Sequence, residues 1–80
     1  MFRNKKVLIT GGTGSFGNAF TKKLLLTDVK EIRIFSRDEK KQDDMRKLYG
    51  NKLINFYIGD VRDKDSLDKV IKGCLLYTSD

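Results

Sequence analysis

The 80 residues include a single cysteine, Cys74. No disulfide can form within the chain, which agrees with a reducing compartment. No apolar run approaches the roughly 20 residues needed to cross a bilayer. The lead Met1-Phe2-Arg3-Asn4-Lys5-Lys6 lacks the apolar centre of a secretion signal, so a cytoplasmic location with no membrane partner is expected. The net charge is +6, from 17 Lys and Arg against 11 Asp and Glu. The acids are interleaved with the bases, and no stretch combines a basic stripe with base-stacking aromatics. A solvated basic surface, with or without an anionic ligand to balance it, accounts for the charge, and nucleic acid is not expected as a partner. Length is also scarce. Eighty residues make one small domain or part of a larger one, and a domain this small buries only about 60% of its unfolded surface.

Set against these absences is the stretch Val7-Leu8-Ile9-Thr10-Gly11-Gly12-Thr13-Gly14-Ser15-Phe16-Gly17. An apolar β-branched run stops at a glycine cluster, and a helical pattern follows. Gly12, Gly14 and Gly17 fit G-x-G-x-x-G, and Gly11, Gly14 and Gly17 fit the overlapping G-x-x-G-x-x-G. Alone, such a cluster marks only a tight turn between packed elements. Directly behind a hydrophobic strand it gains meaning, because glycine tolerates the turn, admits a diphosphate to the backbone and lets the helix lie close to the strand. The helix start then presents unpaired N–H groups and a partial positive charge to an anion. The pyrophosphate of a dinucleotide is the expected ligand. A P-loop would need Lys followed by Ser or Thr after its last glycine, whereas Asn18-Ala19 follow Gly17, so hydrolysis of a nucleoside triphosphate is not expected.

The rest of the chain alternates between two periods. Residues 6–10 read as a first strand covered on both faces. Residues 15 to about 27 read as a helix that packs Phe16, Phe20 and Leu24, with Ala19 and Leu25, on the sheet. Residues 31–35 are a second strand, which makes a βαβ unit with parallel pairing and a right-handed crossover. Ser36 and Glu39 have capping-box spacing, so a second helix is expected from there to about Tyr49, burying Met45, Leu48 and Tyr49 and ending at Gly50. Residues 53–58 form a third strand. Asp63 or Asp65 can cap a third helix that buries Leu67, Val70 and Ile71 and stops at Gly73. The fold class is α/β, the N-terminal half of a Rossmann doubly wound parallel sheet.

The end of the second strand is where such a fold reads the adenosine ribose. An acid there suits the 2′-hydroxyl of NAD, and a base suits the 2′-phosphate of NADP. Arg37 stands about twenty residues past the last motif glycine, where that reader belongs. Its guanidinium can pair with phosphate and stack on adenine, and Lys40 and Lys41 add charge one turn on. Asp38 could serve a 2′-hydroxyl, so NAD stays open, but NADP is favoured. At the end of the third strand, Asp60 can accept from the adenine amino group beside Val61. The plainer role for Asp60 is to organise its turn.

Three stretches, Thr10-Gly-Gly-Thr-Gly-Ser-Phe-Gly17, Phe35-Ser-Arg-Asp-Glu-Lys-Lys-Gln-Asp-Asp-Met-Arg46 and Phe56-Tyr-Ile-Gly-Asp-Val-Arg-Asp63, together resemble extended short-chain dehydrogenase/reductases. The nearest resemblance is to bacterial nucleotide-sugar 4,6-dehydratases and epimerases acting on UDP-N-acetylglucosamine in capsule, O-antigen or flagellin-glycan synthesis. The glycine motif is common to the superfamily, whereas Ser-Arg-Asp-Glu-Lys is more particular to this group. The resemblance covers residues 5–73. It implies that Gly11, Thr13, Gly14, Ser15, Phe16 and Gly17 line the diphosphate. Ser36, Arg37, Asp38, Glu39, Lys40 and Lys41 would surround the ribose and its 2′-phosphate, and Asp60 and Val61 would touch adenine. It also implies NADP as cofactor, a UDP-sugar as substrate of the full-length protein and a homo-oligomeric assembly. In such enzymes a hydride passes from sugar C4 to the cofactor, the 4-keto group acidifies C5, water leaves C6 and the hydride returns there.

The family's Tyr-x-x-x-Lys pair is not in this chain: Tyr57 and Tyr77 have no lysine four residues on, and Tyr49 has Leu53 there. No catalytic residue and no metal ligand is assigned, and the purified chain alone is expected to show no dehydratase turnover. The span 1–80 is read as a partial NAD(P)-binding domain. Residues 74–80 depart from the family pattern and are expected to be the foreign tail of a truncated product. An uninterrupted source gene with the same stop would refute that. If the tail pairs as a strand, it lies beside the first strand; otherwise that edge is open to association. Two other readings stay open, a non-catalytic NADP-binding regulator and, least favoured, a basic nucleic-acid-binding domain.

Overall fold

The structure, a computed structural model, describes residues 3–11 and 13–78. Gly12 of the glycine cluster and residues 79–80 of the tail lie outside the described residues, as does the start of the polar lead. The element order is β1 (Lys6–Thr10), α1 (Ser15–Leu24), β2 (Glu31–Ser36), α2 (Glu39–Tyr49), β3 (Ile54–Ile58), α3 (Lys64–Ile71) and β4 (Cys74–Thr78). The four strands form one sheet of order β3-β2-β1-β4. Every neighbouring pair is parallel, with Ile9 opposite Ile34 and Tyr77, and Ile34 opposite Phe56. The chain steps outward from β1 to β3 and then returns across β1 to β4. That reversal creates the switch point at which sheets of this kind open a crevice beyond their carboxyl ends.

Alternation along the strands divides the apolar residues between two faces. Val7, Ile9, Ile32, Ile34 and Ile54 turn toward α1 and α2, where Leu24 and Met45 close the larger core. Leu8 and Phe35 turn the other way and meet Val70 of α3, with Leu67 and Ile71 packed alongside. Each fully buried aliphatic or aromatic side chain here contributes roughly 1.5–3 kcal/mol.

The helices depart from the expected pattern in several places. α1 ends at Leu24 rather than near Thr27. Past that point its bonds shorten to the three-residue type, Leu26 N–H to Lys23 O at 3.1 Å and Thr27 N–H to Leu24 O at 2.9 Å, as the last turn of a helix often does. Its buried stripe is Gly17, Thr21 and Leu24. Phe20 packs at the edge of that core, and Phe16 is 48% exposed. The small residues let the helix approach the sheet, and the ring at the first turn is displaced outward. In α2 the cap is Asp38, whose Oδ1 accepts from Lys41 N–H at 3.0 Å, not Ser36. Ser36 is still the last residue of β2, so its extended backbone serves the ladder. The buried α2 residues are Met45 and Gln42, while Leu48 is 68% exposed. Met45 and Gln42 stand three apart on one face; Leu48 instead lines an open recess with Thr13 and Asn18.

Two expected stops and one expected start hold. Gly50 ends α2 in the left-handed conformation, with φ 52°, which suits a residue lacking a β-carbon. The Asp63 carboxylate caps α3 by accepting from Ser66. Gly73 follows α3 with φ 78°. The tail pairs: β4 lies beside β1 with Cys74 opposite Lys6.

Candidate functional site

The strand ends meet at one crevice. β1 leaves the sheet through Gly11, whose φ of 64° is the left-handed value that favours glycine. Its N–H is held by Phe35 O at 2.9 Å. Gly14, with φ −80° and ψ −176°, is the N-cap of α1 and has no side-chain cap. The turn therefore needs glycine for its backbone angle at Gly11, while Gly14 sits in extended backbone that any residue adopts. The N–H groups of Ser15, Phe16 and Gly17 make no hydrogen bond among the described residues. They are the open donors that every helix start presents.

Across from this turn, β2 ends at Ser36-Arg37 and β3 ends at Ile58-Gly59-Asp60. Gly59 N–H donates to Ser36 O at 3.0 Å and ties the two exits together. A β-carbon on Gly59 would lie 2.5 Å from Cζ of the buried Phe35 ring, so the backbone here rests directly on the core. The crevice, about 380 Å³, is lined by Gly11, Ser36, Arg37, Gly59, Asp60, Val61 and Arg62.

Electrostatics at its mouth centre on Asp60. Arg62 Nη2 donates to Asp60 Oδ2 at 2.7 Å, and Arg62 N–H donates to Oδ1 at 2.9 Å. The Arg62 guanidinium and backbone N–H together hold the Asp60 carboxyl down at about 2. Arg37 Nη1 lies 3.6 Å from the same Oδ2, and its side chain is 70% exposed. An exposed cation is thus drawn toward the crevice with most of its donors free.

The expected site residues fall into three groups. Gly11, Ser36, Arg37, Asp60 and Val61 line the crevice. The Ser36 hydroxyl there accepts from Gln42 Nε2 at 3.0 Å. Thr13 and Lys41 line a neighbouring recess of about 250 Å³ with Asn18, Asp44, Met45 and Leu48, with Ser15, Phe16 and Gly17 opening α1 next to it. Asp38 is occupied as a helix cap. Glu39 and Lys40 turn to a recess of about 600 Å³ beside the β3 edge, with Arg46 and Phe56, and Lys40 also pairs with Asp44 at 3.5 Å. That larger recess shares no lining residue with the crevice.

Four residues that the sequence reading did not place support the site. Arg62 lines the crevice. Gln42, 1% exposed, donates to Tyr57 O at 2.8 Å as well as to Ser36 and locks α2 to the strand ends. Asn18 and Tyr49 hold the glycine turn. Gln42 was detectable as the residue three before Met45; spacing marked Tyr49 only as a core residue, and nothing in it marked Arg62 or Asn18. No group of metal-ligating residues occurs among the described residues, and no helix among them is long and apolar enough to cross a membrane.

A glycine turn on β1, a parallel sheet of alternating strands and helices, and a crevice at the switch point define a Rossmann-like α/β fold. The profile of the polysaccharide biosynthesis protein family matches residues 7–77, and the chain belongs to that family. It is 61% identical over 77 residues to a protein named UDP-glucose 4-epimerase from Rickettsia bellii (strain RML369-C), covering 91% of this chain and 23% of that protein. It is 57% identical over 77 residues to the protein of the same name from Rickettsia akari (strain Hartford), with the same coverage. Among solved structures it superposes on Pen from Bacillus thuringiensis with a TM-score of 0.88 and 34% identity, covering 92% of this chain and 23% of that one. The chain thus spans about a quarter of the length of these relatives.

Proposed function

We propose that the chain is the NADP-binding portion, a partial Rossmann domain, of a cytoplasmic nucleotide-sugar 4,6-dehydratase. Its substrate would be UDP-N-acetylglucosamine and its product a 4-keto-6-deoxy sugar for capsule, O-antigen or glycan synthesis. The observation that carries this reading is the crevice at the strand ends, which the positive-φ Gly11, Arg37 and Asp60 line, with the turn from Gly11 leading into the open N–H groups that start α1. The donor set suits a dinucleotide. Backbone N–H groups at a helix start match a diphosphate, which needs several short donors and little side-chain bulk. A guanidinium with free donors matches a phosphomonoester through two parallel bonds.

When bound, NADP supplies reversible hydride acceptance. This chain's residues bind and orient. Ser15, Phe16 and Gly17 would meet the diphosphate through their N–H groups, with Gly11 giving the backbone its turn. Arg37, with Lys41 on the next turn of α2, would hold the 2′-phosphate. Asp60 and Val61 would border the adenine. Asp60 reaches the adenine amino group only by releasing part of its hold on Arg62. The UDP-sugar and a homo-oligomeric assembly belong to the full-length protein, and neither nucleic acid nor a membrane is a partner in this reading.

An epimerase acting on the same class of substrate is the second reading, motivated by the name that the Rickettsia relatives carry. Both reactions begin by oxidising a sugar carbon with the same cofactor, so the cofactor site does not separate them. Calorimetric titration with NADP and with NAD, on the wild type and on Arg37→Ala, tests the binding reading. A charge-assisted bond contributes about 1.5–3 kcal/mol, so Arg37→Ala should weaken NADP roughly 10- to 100-fold and leave NAD little changed. Equal losses would remove Arg37 from the phosphate. Binding of neither dinucleotide by the wild type would remove the reading altogether.

A further inference from the structure

The glycine turn is held from behind by a side chain that the dinucleotide reading leaves unused. The Asn18 side-chain amide lies 3.2 Å from Thr13 O and 3.1 Å from Gly14 O. Its other end lies 3.0 Å from the hydroxyl of Tyr49, near the end of α2. Two carbonyls can only accept, so the NH₂ group must face them and the amide oxygen must face the hydroxyl, which donates to it. The orientation follows from the partners. The Tyr49 hydroxyl also lies 3.2 Å from Asn18 backbone O, and the Asn18 N–H donates to Gly14 O at 3.0 Å. Gly14 O therefore takes two bonds from one residue.

These bonds bear on the anion site through peptide geometry. In a planar trans peptide the carbonyl and the following N–H point in opposite directions. Tying Gly14 O inward to Asn18 aims the Ser15 N–H outward, and that N–H has no partner among the described residues. Tying Thr13 O likewise fixes the peptide that ends in the Gly14 N–H, already donated to Gly11 O at 3.2 Å. Without Asn18 the turn would have to be held by glycine-rich backbone alone, which has the most conformational freedom to lose. Tyr49 extends the tie to α2, the helix that follows Arg37.

We propose that Asn18 is a positioning residue for the phosphate-binding turn, and that Tyr49 couples it to α2 so that the donors for the diphosphate and those for the ribose phosphate share one frame. The proposal rests on the dinucleotide reading above and adds to it a residue that does not touch the ligand. Its signature is a split between ligands. A ligand with the diphosphate needs the aimed N–H groups; adenosine 2′-phosphate, which has only the ribose phosphate, does not.

The test compares wild type, Asn18→Ala and Tyr49→Phe by NMR titration with NADP and with adenosine 2′-phosphate, each variant first checked by thermal melting. For Asn18→Ala the NADP affinity should fall about 10-fold, as for one well-aimed hydrogen bond lost, while adenosine 2′-phosphate changes less than about 2-fold. Tyr49→Phe keeps the ring, removes only the hydroxyl, and should give the same split at about 3-fold. It also serves if Asn18→Ala does not fold. Equal losses for both ligands would mean a merely structural residue and overturn the proposal. Unchanged NADP binding in both variants would overturn it and leave the dinucleotide reading standing. Failure of the wild type to bind either ligand would overturn both.

Discussion

The two faces of the sheet are built on different principles. The face under α1 and α2 is a continuous apolar layer, with Val7, Ile9, Ile32 and Ile34 all fully buried. The face under α3 has a smaller core of Leu8, Phe35 and Val70, and beside it the strands carry charge. Arg33 donates from Nη1 to Val70 O at 2.9 Å, so a cation from β2 meets the carbonyl end of α3, where the helix dipole favours it. Its Nε lies 3.1 Å from Glu31 Oε2, in an approach angled away from hydrogen-bond geometry, so the contact is a charge pair. Asn55 donates to the same carboxylate oxygen at 2.7 Å, and the Arg33 guanidinium stands 5.9 Å from the Tyr57 ring centre. One face thus holds two helices mainly by apolar burial, with Gln42 bonding α2 to the strand ends. The other orders one helix with an ion that needs several partners, since a half-buried charge is tolerated only when paired. The lesson is that a parallel strand can carry an arginine on the covered side of a sheet when a helix end is there to receive it.

Paired substitutions of neighbours on β2 separate these two principles most sharply. Ile34→Ala removes a fully buried side chain from the apolar face and should cost about 2–5 kcal/mol, read from urea unfolding. A loss under about 1 kcal/mol would mean that this face is not packed as described. Arg33→Ala, one residue away and on the other face, should cost less, about 1–3 kcal/mol, and should do so mainly by loosening α3, seen as faster amide exchange there. Slower exchange in α3, or loosening confined to α1, would break the comparison.

The pH dependence sharpens it further. Burial pushes Glu31 up, but the close pairing with Arg33, the hydrogen bond from Asn55 and the charge of Lys6 outweigh it and leave the carboxyl below its usual range. A depressed carboxyl contributes stability above its unfolded pKa, near 4.3, and that contribution is lost as pH falls through the lower folded value. The wild type should therefore lose stability on acidification below about pH 4, and Arg33→Ala should lose less. Identical acid profiles would remove the pair from the account. The smallest effect belongs to neither face: Asp38→Ala should cost about 1 kcal/mol as a lost helix cap. If Ser36→Ala cost α2 more helix content than Asp38→Ala, the capping role would pass back to Ser36.

Much of this was legible in the residues. The apolar runs of β1 and β2 and the helical spacing of α3 appear where period and composition place them, because burial on a sheet imposes its period on the sequence; in α1 the helix is there, but its buried stripe is Gly17, Thr21 and Leu24. Gly50, Asp63 and Gly73 stop or start helices through local backbone chemistry that a few neighbours suffice to define. The capping residue of α2 was misplaced by two positions, since Ser36 and Asp38 are both good caps and only the length of β2 decides between them. Leu48 fits the spacing of the helix face, but its side chain opens to the recess with Thr13 and Asn18 while its neighbour Tyr49 packs on the core. The strand-end residues were legible as a group, Gly11, Arg37 and Asp60 above all. Their division among one crevice and two recesses was not, since a run such as Glu39-Lys40-Lys41 turns through 3.6 residues per turn and splits its neighbours between faces.

The sequence by itself determined the elements, their alternation and the glycine turn, because periodicity, caps and positive-φ positions act within a few residues. Only the tertiary structure decided that the tail pairs as β4, that Arg33 reaches Val70 across 37 positions, and that Tyr49 grips Asn18 across 31. Such contacts depend on where distant elements pack, and no local pattern of residues encodes that distance.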